Sequence, residues 1–224
     1  MTLINSEQPL PIAIYFGGTF NPIHHGHLQV ALEVSETLNA DSVHLLPNYL
    51  PPHKASPDVS AQQRAKMCEL ACLLDPKFKL DSRELNSAEP SYTIATLKQL
   101  KAEHPNRALC FMIGMDSLQT LDTWRNWRQL TKYCHLVVAA RGGYPAQFNE
   151  NVRQLLASNQ TFNPQDLQTK QSGCIYLVET SELMISASQI RQRYQKQQNC
   201  RCLLPDKVND YIIQHHLYTH VDRA

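Results

Sequence analysis

The chain has 224 residues, of which 42% are hydrophobic and 18% charged. That composition excludes a disordered or fibrous protein and leaves room for one α/β domain or two small ones. Lys and Arg total 21 against 20 Asp and Glu, a formal charge of +1, which excludes a broad cationic face for a nucleic-acid backbone or an anionic membrane.

In chain order, residues 1–11 read as a tail broken by Pro9 and Pro11. Residues 12–16 form a continuous apolar run that ends at Gly17 and Gly18. Leu28, Ala31, Leu32, Ser35 and Leu38 then recur at helical spacing. A second apolar run, 43–46, stops at Pro47. Residues 61–74 predict a helix, with Ser60 and Gln63 spaced as a capping box. A further helix is expected over 93–103, just after Pro90. Runs 108–113, 136–140 and 175–178 follow, the first ending at Gly114 and the second near Gly142 and Gly143. The stretch 158–173, rich in Gln and Asn, reads as a surface loop, and 206–216 as a helix after Pro205.

Unbroken rather than alternating apolarity points to strands covered on both faces. The alternation with helices predicts a Rossmann-like, doubly wound parallel sheet with helices on both faces and a C-terminal helical extension. One domain is expected over 12–218, with 219–224 as a second tail. The chain shows no internal repeat.

Seven cysteines, an odd number with several inside apolar runs and no Cys-x-x-Cys, predict free thiols in a reducing compartment. Residues 1–11 lack the basic and apolar regions of a signal peptide. No stretch approaches the roughly 18 apolar residues of a bilayer span. The expectation is cytoplasmic, with no membrane or nucleic-acid partner; monomer and homo-oligomer both stay open.

The loop after the first strand concentrates the chemistry. Gly17-Gly18-Thr19-Phe20-Asn21-Pro22-Ile23-His24-His25-Gly26-His27 runs from a strand end into a helix start. Ligands of open α/β sheets bind beyond the carboxyl ends of strands. The double glycine permits close backbone approach. His24 and His27 offer imidazole donors beside a helix N-terminus that favours anions. The same pair could ligate a metal, but no Asp or Glu flanks it and His-Glu-x-x-His is absent. His25 has no assigned role. There is no Gly-x-Gly-x-x-Gly and no Gly-x4-Gly-Lys-Ser/Thr, so neither a standard dinucleotide redox domain nor a P-loop ATPase is indicated.

Gly17-Gly18-Thr19-Phe20-x-Pro22-x-His24-x-Gly26-His27 resembles the first signature of the nucleotidyltransferase superfamily with a His-x-Gly-His motif. Ile185-Ser186-Ala187-Ser188-Gln189-Ile190-Arg191 resembles its second signature. Ser186 and Gln189 again have capping-box spacing, which predicts Arg191 on the first turn of a helix. Within the superfamily, several segments resemble the bacterial nicotinate mononucleotide adenylyltransferases. They are Pro47 to Lys54, Pro90-Ser91-Tyr92-Thr93, Ile113 to Leu118, Trp124, Arg141 to Tyr144, and Leu204 to Tyr218.

The resemblance implies adenylyl transfer from ATP to nicotinate mononucleotide, giving deamido-NAD and pyrophosphate in NAD biosynthesis. It implies that His24, His27 and Arg191 are catalytic. ATP would meet Gly17, Gly18, Thr19, Phe20, Gly114, Asp116, Arg141, Ile185, Ser186 and Ser188. The mononucleotide would meet Thr19, Asn48, His53, Lys54, Tyr92, Thr93, Trp124 and Arg125. Trp124 would stack on the nicotinate ring, whereas Trp127 reads as structural. Thr93 and the Arg125 amide would meet the carboxylate. Asp116 reads equally as a ribose or metal contact and as a helix N-cap. Mg²⁺ would be held mainly by substrate phosphates, with no protein cage.

The chain departs from the family pattern at Ser87-Ala88-Glu89, where Arg-x-Gly is usual, at Arg141-Gly142-Gly143, where Arg-Pro-Gly is common, and at Ser188, which keeps a hydroxyl in place of threonine. A transferase acting on phosphopantetheine or nicotinamide mononucleotide, and a non-catalytic nucleotide sensor, are the competing readings. Trp124 with the Pro90–Thr93 segment argues against the first, and the intact histidines and Arg191 against the second.

Overall fold

The structure, a computed structural model, describes residues 8–49, 59–86, 92–141, 147–181 and 183–219. Seven parallel strands among these residues form one sheet: β1 (Ile12–Gly18), β2 (Ser42–Pro47), β3 (Phe78–Leu80), β4 (Ala108–Gly114), β5 (His135–Arg141), β6 (Gln160–Thr161) and β7 (Ile175–Thr180). Their spatial order is β3-β2-β1-β4-β5-β7-β6. The chain winds outward from β1 to β3 and then returns to lay β4 beside β1. The order therefore reverses between β1 and β4, where open α/β sheets form their ligand crevice.

The strands alternate between two apolar cores, as strands buried on both faces must. Ile12 and Ile14 of β1 and Cys110 and Met112 of β4 face one core, which packs on α1 (His25–Thr37), α2 (Ala61–Ala71), α7 (Ala187–Gln195) and α8 (Asp206–Gln214). Ala13, Tyr15, Leu109 and Phe111 face the other, covered by α3 (Thr93–Glu103), α4 (Met115–Gln119) and α5 (Glu150–Asn159). Helices on both faces of a parallel sheet make the fold Rossmann-like and doubly wound, as expected from the apolar runs.

Three helices end in the same way. After α1, Asn39 takes a left-handed φ of 49°, its amide bonds Glu36 O at 3.1 Å, and Ala40 N bonds Ser35 O at 2.8 Å. Gln197 and His216 repeat this paired closure after α7 and α8. The pattern satisfies carbonyls that a helix end leaves orphaned. At α8 it also turns Leu217 and Tyr218 back into the core, and the Tyr218 hydroxyl donates to Asn21 Oδ1 at 2.7 Å. The C-terminal extension is thereby tied to the loop after β1.

Two expectations need correction. Residues 158–173 are not simply loop. They hold the edge strand β6 and a short helix α6 (Asp166–Thr169), with Leu167 buried in the first core. Gln and Asn mask these elements because one two-residue edge strand and one turn need few apolar side chains. Arg191 also lies beyond the first turn of α7. That helix is capped at Ser186, whose Oγ accepts from Gln189 N at 3.2 Å, so Arg191 falls one turn in. All seven cysteines are free.

Candidate active site

The switch point carries the glycines. Gly17 and Gly18 end β1, and Gly114 ends the neighbouring β4. A Cβ on Gly17 would lie 2.9 Å from the Phe111 ring, and one on Gly18 2.8 Å from the Phe20 ring. Phe20 itself holds a left-handed φ of 47°, a costly conformation for an aromatic residue that marks a constrained loop.

His24 is the N-cap residue of α1, in extended backbone, and His27 lies in the first turn. Their rings stack, with centroids 3.7 Å apart and planes 27° apart. Phe20 packs edge-on against His27 at 5.3 Å. Gly26 makes the stack possible, because a Cβ there would sit 3.1 Å from His24 Nδ1 and Cε1. Both Nδ1 atoms are buried and unpartnered. Unpaired buried polar atoms are rare and call for an explanation. Burial pushes the His24 pKa down to about 4, with His25 adding to the shift. Burial, reinforced by His24, holds His27 well below its ordinary value. Both imidazoles are thus neutral near pH 7 in the ligand-free protein.

The second signature comes to the same place. The Ile185 carbonyl oxygen lies 3.5 Å from the position of a Gly26 Cβ. Arg191 Nη1 donates to Asn21 O at 2.8 Å, and Nη2 donates to Ser188 Oγ at 3.3 Å. Glu33 on α1 accepts from Ser181 N at 2.8 Å and anchors the approach to this segment. Two stretches distant in sequence therefore meet around one helix N-terminus, where free amides already favour an anion.

Asn48 follows β2, and its amide bonds Gly18 O at 3.1 Å. Its Nδ2 reaches Thr19 Oγ1 at 3.4 Å. Beneath both loops lies Arg64 of α2, only 1% exposed, which the sequence reading passed over. Its signal is a charge set at helical spacing in the apolar stripe Ala61, Ala65, Cys68.

A further group forms on the other side of the crevice. Tyr92 is the N-cap residue of α3, Thr93 its first residue, and the Arg125 guanidinium lies 4.6 Å from the Tyr92 ring centre. Trp124 is half-buried against the second core, while Trp127 belongs to that core, as expected of a structural tryptophan. The Arg125 amide has no backbone partner among the described residues. Asp116 is exposed in the first turn of α4, and its Oδ1 lies 2.6 Å from where a Gly114 Cβ would be. The N-cap residue is Gly114, so Asp116 does not cap that helix. His53, Lys54 and the Arg141 side chain lie outside the described residues. Among the described residues no group of three His, Cys, Asp or Glu could hold a metal ion, and no helix is long and apolar enough to cross a membrane.

A switch-point crevice with anion-binding groups gathered from two distant segments defines a nucleotidyltransferase-type α/β site. The chain matches the cytidylyltransferase-like family over residues 15–193. It is 44% identical to a probable nicotinate-nucleotide adenylyltransferase of Psychromonas ingrahamii, over 91% of this chain and 95% of that one. It is 45% identical to a protein of the same description from Yersinia enterocolitica, over 96% and 98%. The chain belongs to the cytidylyltransferase-like family and, within it, to the nicotinate-nucleotide adenylyltransferases. The fold is shared with the Plasmodium falciparum nicotinic acid mononucleotide adenylyltransferase complexed with NaAD, at a TM-score of 0.69 and 20% identity over 93% of this chain and 97% of that one.

Proposed function

We propose that this protein transfers the adenylyl group of ATP to nicotinate mononucleotide, forming deamido-NAD and pyrophosphate in NAD biosynthesis, in the cytoplasm. The observation that carries this reading is the stacked pair His24 and His27, with unpartnered Nδ1 atoms, beside Arg191 at one helix start.

The acceptor's phosphate oxygen attacks the α-phosphorus of ATP, and the bond to the bridging oxygen of the leaving pyrophosphate breaks. That nucleophile is already ionised near neutral pH, so no general base is needed. Rate comes from alignment and from donors aimed at the charge that grows on the leaving group. His24, His27 and Arg191 supply those donors. Gly17, Gly18, Thr19, Phe20, Gly114, Asp116, Ile185, Ser186 and Ser188 line the ATP side. Thr19, Asn48, Tyr92, Thr93, Trp124 and Arg125 line the acceptor side, with Trp124 under the nicotinate ring.

The Arg125 amide can only donate, whereas the Thr93 hydroxyl can donate or accept, so the discrimination falls on the amide. Donors suit a carboxylate and meet the N–H₂ of a carboxamide unfavourably, which supports the acid as the acceptor. Mg²⁺ arrives as part of the Mg–ATP substrate. The described site offers imidazoles, a guanidinium, amides and hydroxyls, which suit an anion, and a single exposed carboxylate, Asp116, too few oxygen ligands for a protein cage around a hard cation.

Incubation with ATP, Mg²⁺ and nicotinate mononucleotide is expected to give deamido-NAD, identified by mass, and equimolar pyrophosphate. Hydrolysis of ATP without adenylylated product would contradict the proposal.

A further inference from the structure

Arg64 is a buried cation with no carboxylate beside it among the described residues. Nη1 donates to Thr19 O at 2.6 Å and to Asn48 Oδ1 at 3.3 Å. Nη2 donates to Asn48 O at 2.7 Å and to Tyr49 O at 3.0 Å. Nε is buried and unpartnered. One planar fork therefore ties the loop after β1 to the loop after β2, a geometry an ammonium cannot reproduce.

The bond to Asn48 Oδ1 has a directional consequence. An amide side chain can present either its oxygen or its nitrogen to a neighbour, and its hydrogen-bond network decides which. With Oδ1 turned to the guanidinium, Nδ2 is turned to Thr19 Oγ1. The surface between the two loops then presents donors, an N–H₂ and a hydroxyl. If the amide turned over, an acceptor oxygen would face the same space and repel an anion. Burying an uncompensated charge is costly; desolvation lowers the Arg64 pKa, and the groups that oppose it are the Cys68 thiol and the Tyr218 hydroxyl, both pushed up by burial and neutral near pH 7. A bound phosphate would supply the missing counter-charge through the Thr19–Asn48 pair.

We infer that Arg64 is a positioning residue for the acceptor's phosphate, locking Asn48 and Thr19 in the donor-presenting arrangement while its positive charge lies beneath them. This inference rests on the proposed adenylyl transfer to nicotinate mononucleotide. Arg64 acts through its neighbours and touches neither substrate.

The test compares Arg64→Met and Arg64→Lys with the natural chain in steady-state kinetics, each substrate varied in turn, with melting temperatures alongside. Loss of hydrogen bonds from a charged group predicts about a tenfold or larger rise in KM for nicotinate mononucleotide in Arg64→Met, with KM for ATP changed less than about threefold. Arg64→Lys restores the charge but not the fork, so it recovers part of the loss. If Arg64→Met does not fold, Arg64→Lys carries the test through the same split in KM, at smaller size. A lower melting temperature with both KM values unchanged, or equal rises in both, would overturn the inference while leaving the activity in place. A natural chain that forms no deamido-NAD would overturn the acceptor reading and this inference with it.

Discussion

The imidazoles of His24 and His27 lie 3.7 Å apart, centroid to centroid, and neither Nδ1 has a partner. Two stacked rings so close cannot both carry a positive charge without a compensating anion. The ligand-free pair is neutral, since burial holds His24 near pKa 4 and His27 well down. An anionic triphosphate favours the charged form and raises these values on binding. ATP binding is therefore expected to take up protons near pH 7, and to tighten as pH falls from 8 towards 6. Calorimetry in two buffers of different ionisation enthalpy measures the uptake. His24→Ala should diminish it; equal uptake in that variant would count against the pair.

The same histidines make the free protein acid-sensitive. His44 is also pushed down to about 4 by burial, and His135, buried in β5, is lowered. Each is held in its neutral form by the fold. Their contribution to stability is complete above the ordinary value of 6.5 and drains away as pH falls through the depressed folded values. Melting temperature should be flat from pH 8 to 7 and fall steeply between 6 and 4. A flat profile down to pH 4 would contradict the assigned burial.

Gly26→Ala separates activity from stability. Alanine is the better helix former by roughly 0.5–1 kcal/mol, so α1 itself should tolerate the change. The new methyl, however, lies 3.1 Å from His24 and 3.5 Å from Ile185 O, and the imidazole must yield. Displacing a positioned group by a fraction of an ångström or more predicts a fall in kcat of about tenfold to a hundredfold, with the melting temperature preserved. Full activity would mean that the stacked placement of His24 is not needed.

Direct removal is harsher. His24→Ala should lower kcat by about 10²–10³ while KM for nicotinate mononucleotide moves little. Near-normal turnover in a folded variant would reject its role at the ATP phosphates.

Trp124 is half-buried against the second core, and the proposed function sets its indole under the nicotinate ring. Its loss, in Trp124→Ala, should raise KM for the mononucleotide more than KM for ATP, by about the stacking contribution of roughly 0.5–1.5 kcal/mol together with lost burial. An effect confined to ATP would reassign the pocket.

Much of this was legible in the sequence, and the reasons differ between elements. β1, β2, β4, β5 and β7 announce themselves because buried parallel strands are apolar on both faces. β3 and β6 do not, since edge strands of three and two residues need almost no apolar pattern. Helix α5 is obscured because only Val152 and Leu156 are buried in an otherwise polar segment. His24 and His27 stood out through their place in the glycine-rich loop after β1, and Arg191 through the resemblance of residues 185–191 to a family signature; the fold brings the two segments to one helix start. Arg64 did not stand out, because its importance lies in carbonyls from two loops that only the folded chain assembles. Asp116 could be a ligand contact or a cap on sequence grounds, and only the backbone at Gly114 removes the second choice.

The central claim is that this crevice joins ATP to a pyridine acid. Its most direct test is pyrophosphate release with Mg–ATP, comparing kcat/KM for nicotinate mononucleotide, nicotinamide mononucleotide and phosphopantetheine. The account predicts strong preference for nicotinate mononucleotide, with the preference weakened in Trp124→Ala. Equal or greater efficiency with either of the other acceptors would contradict it.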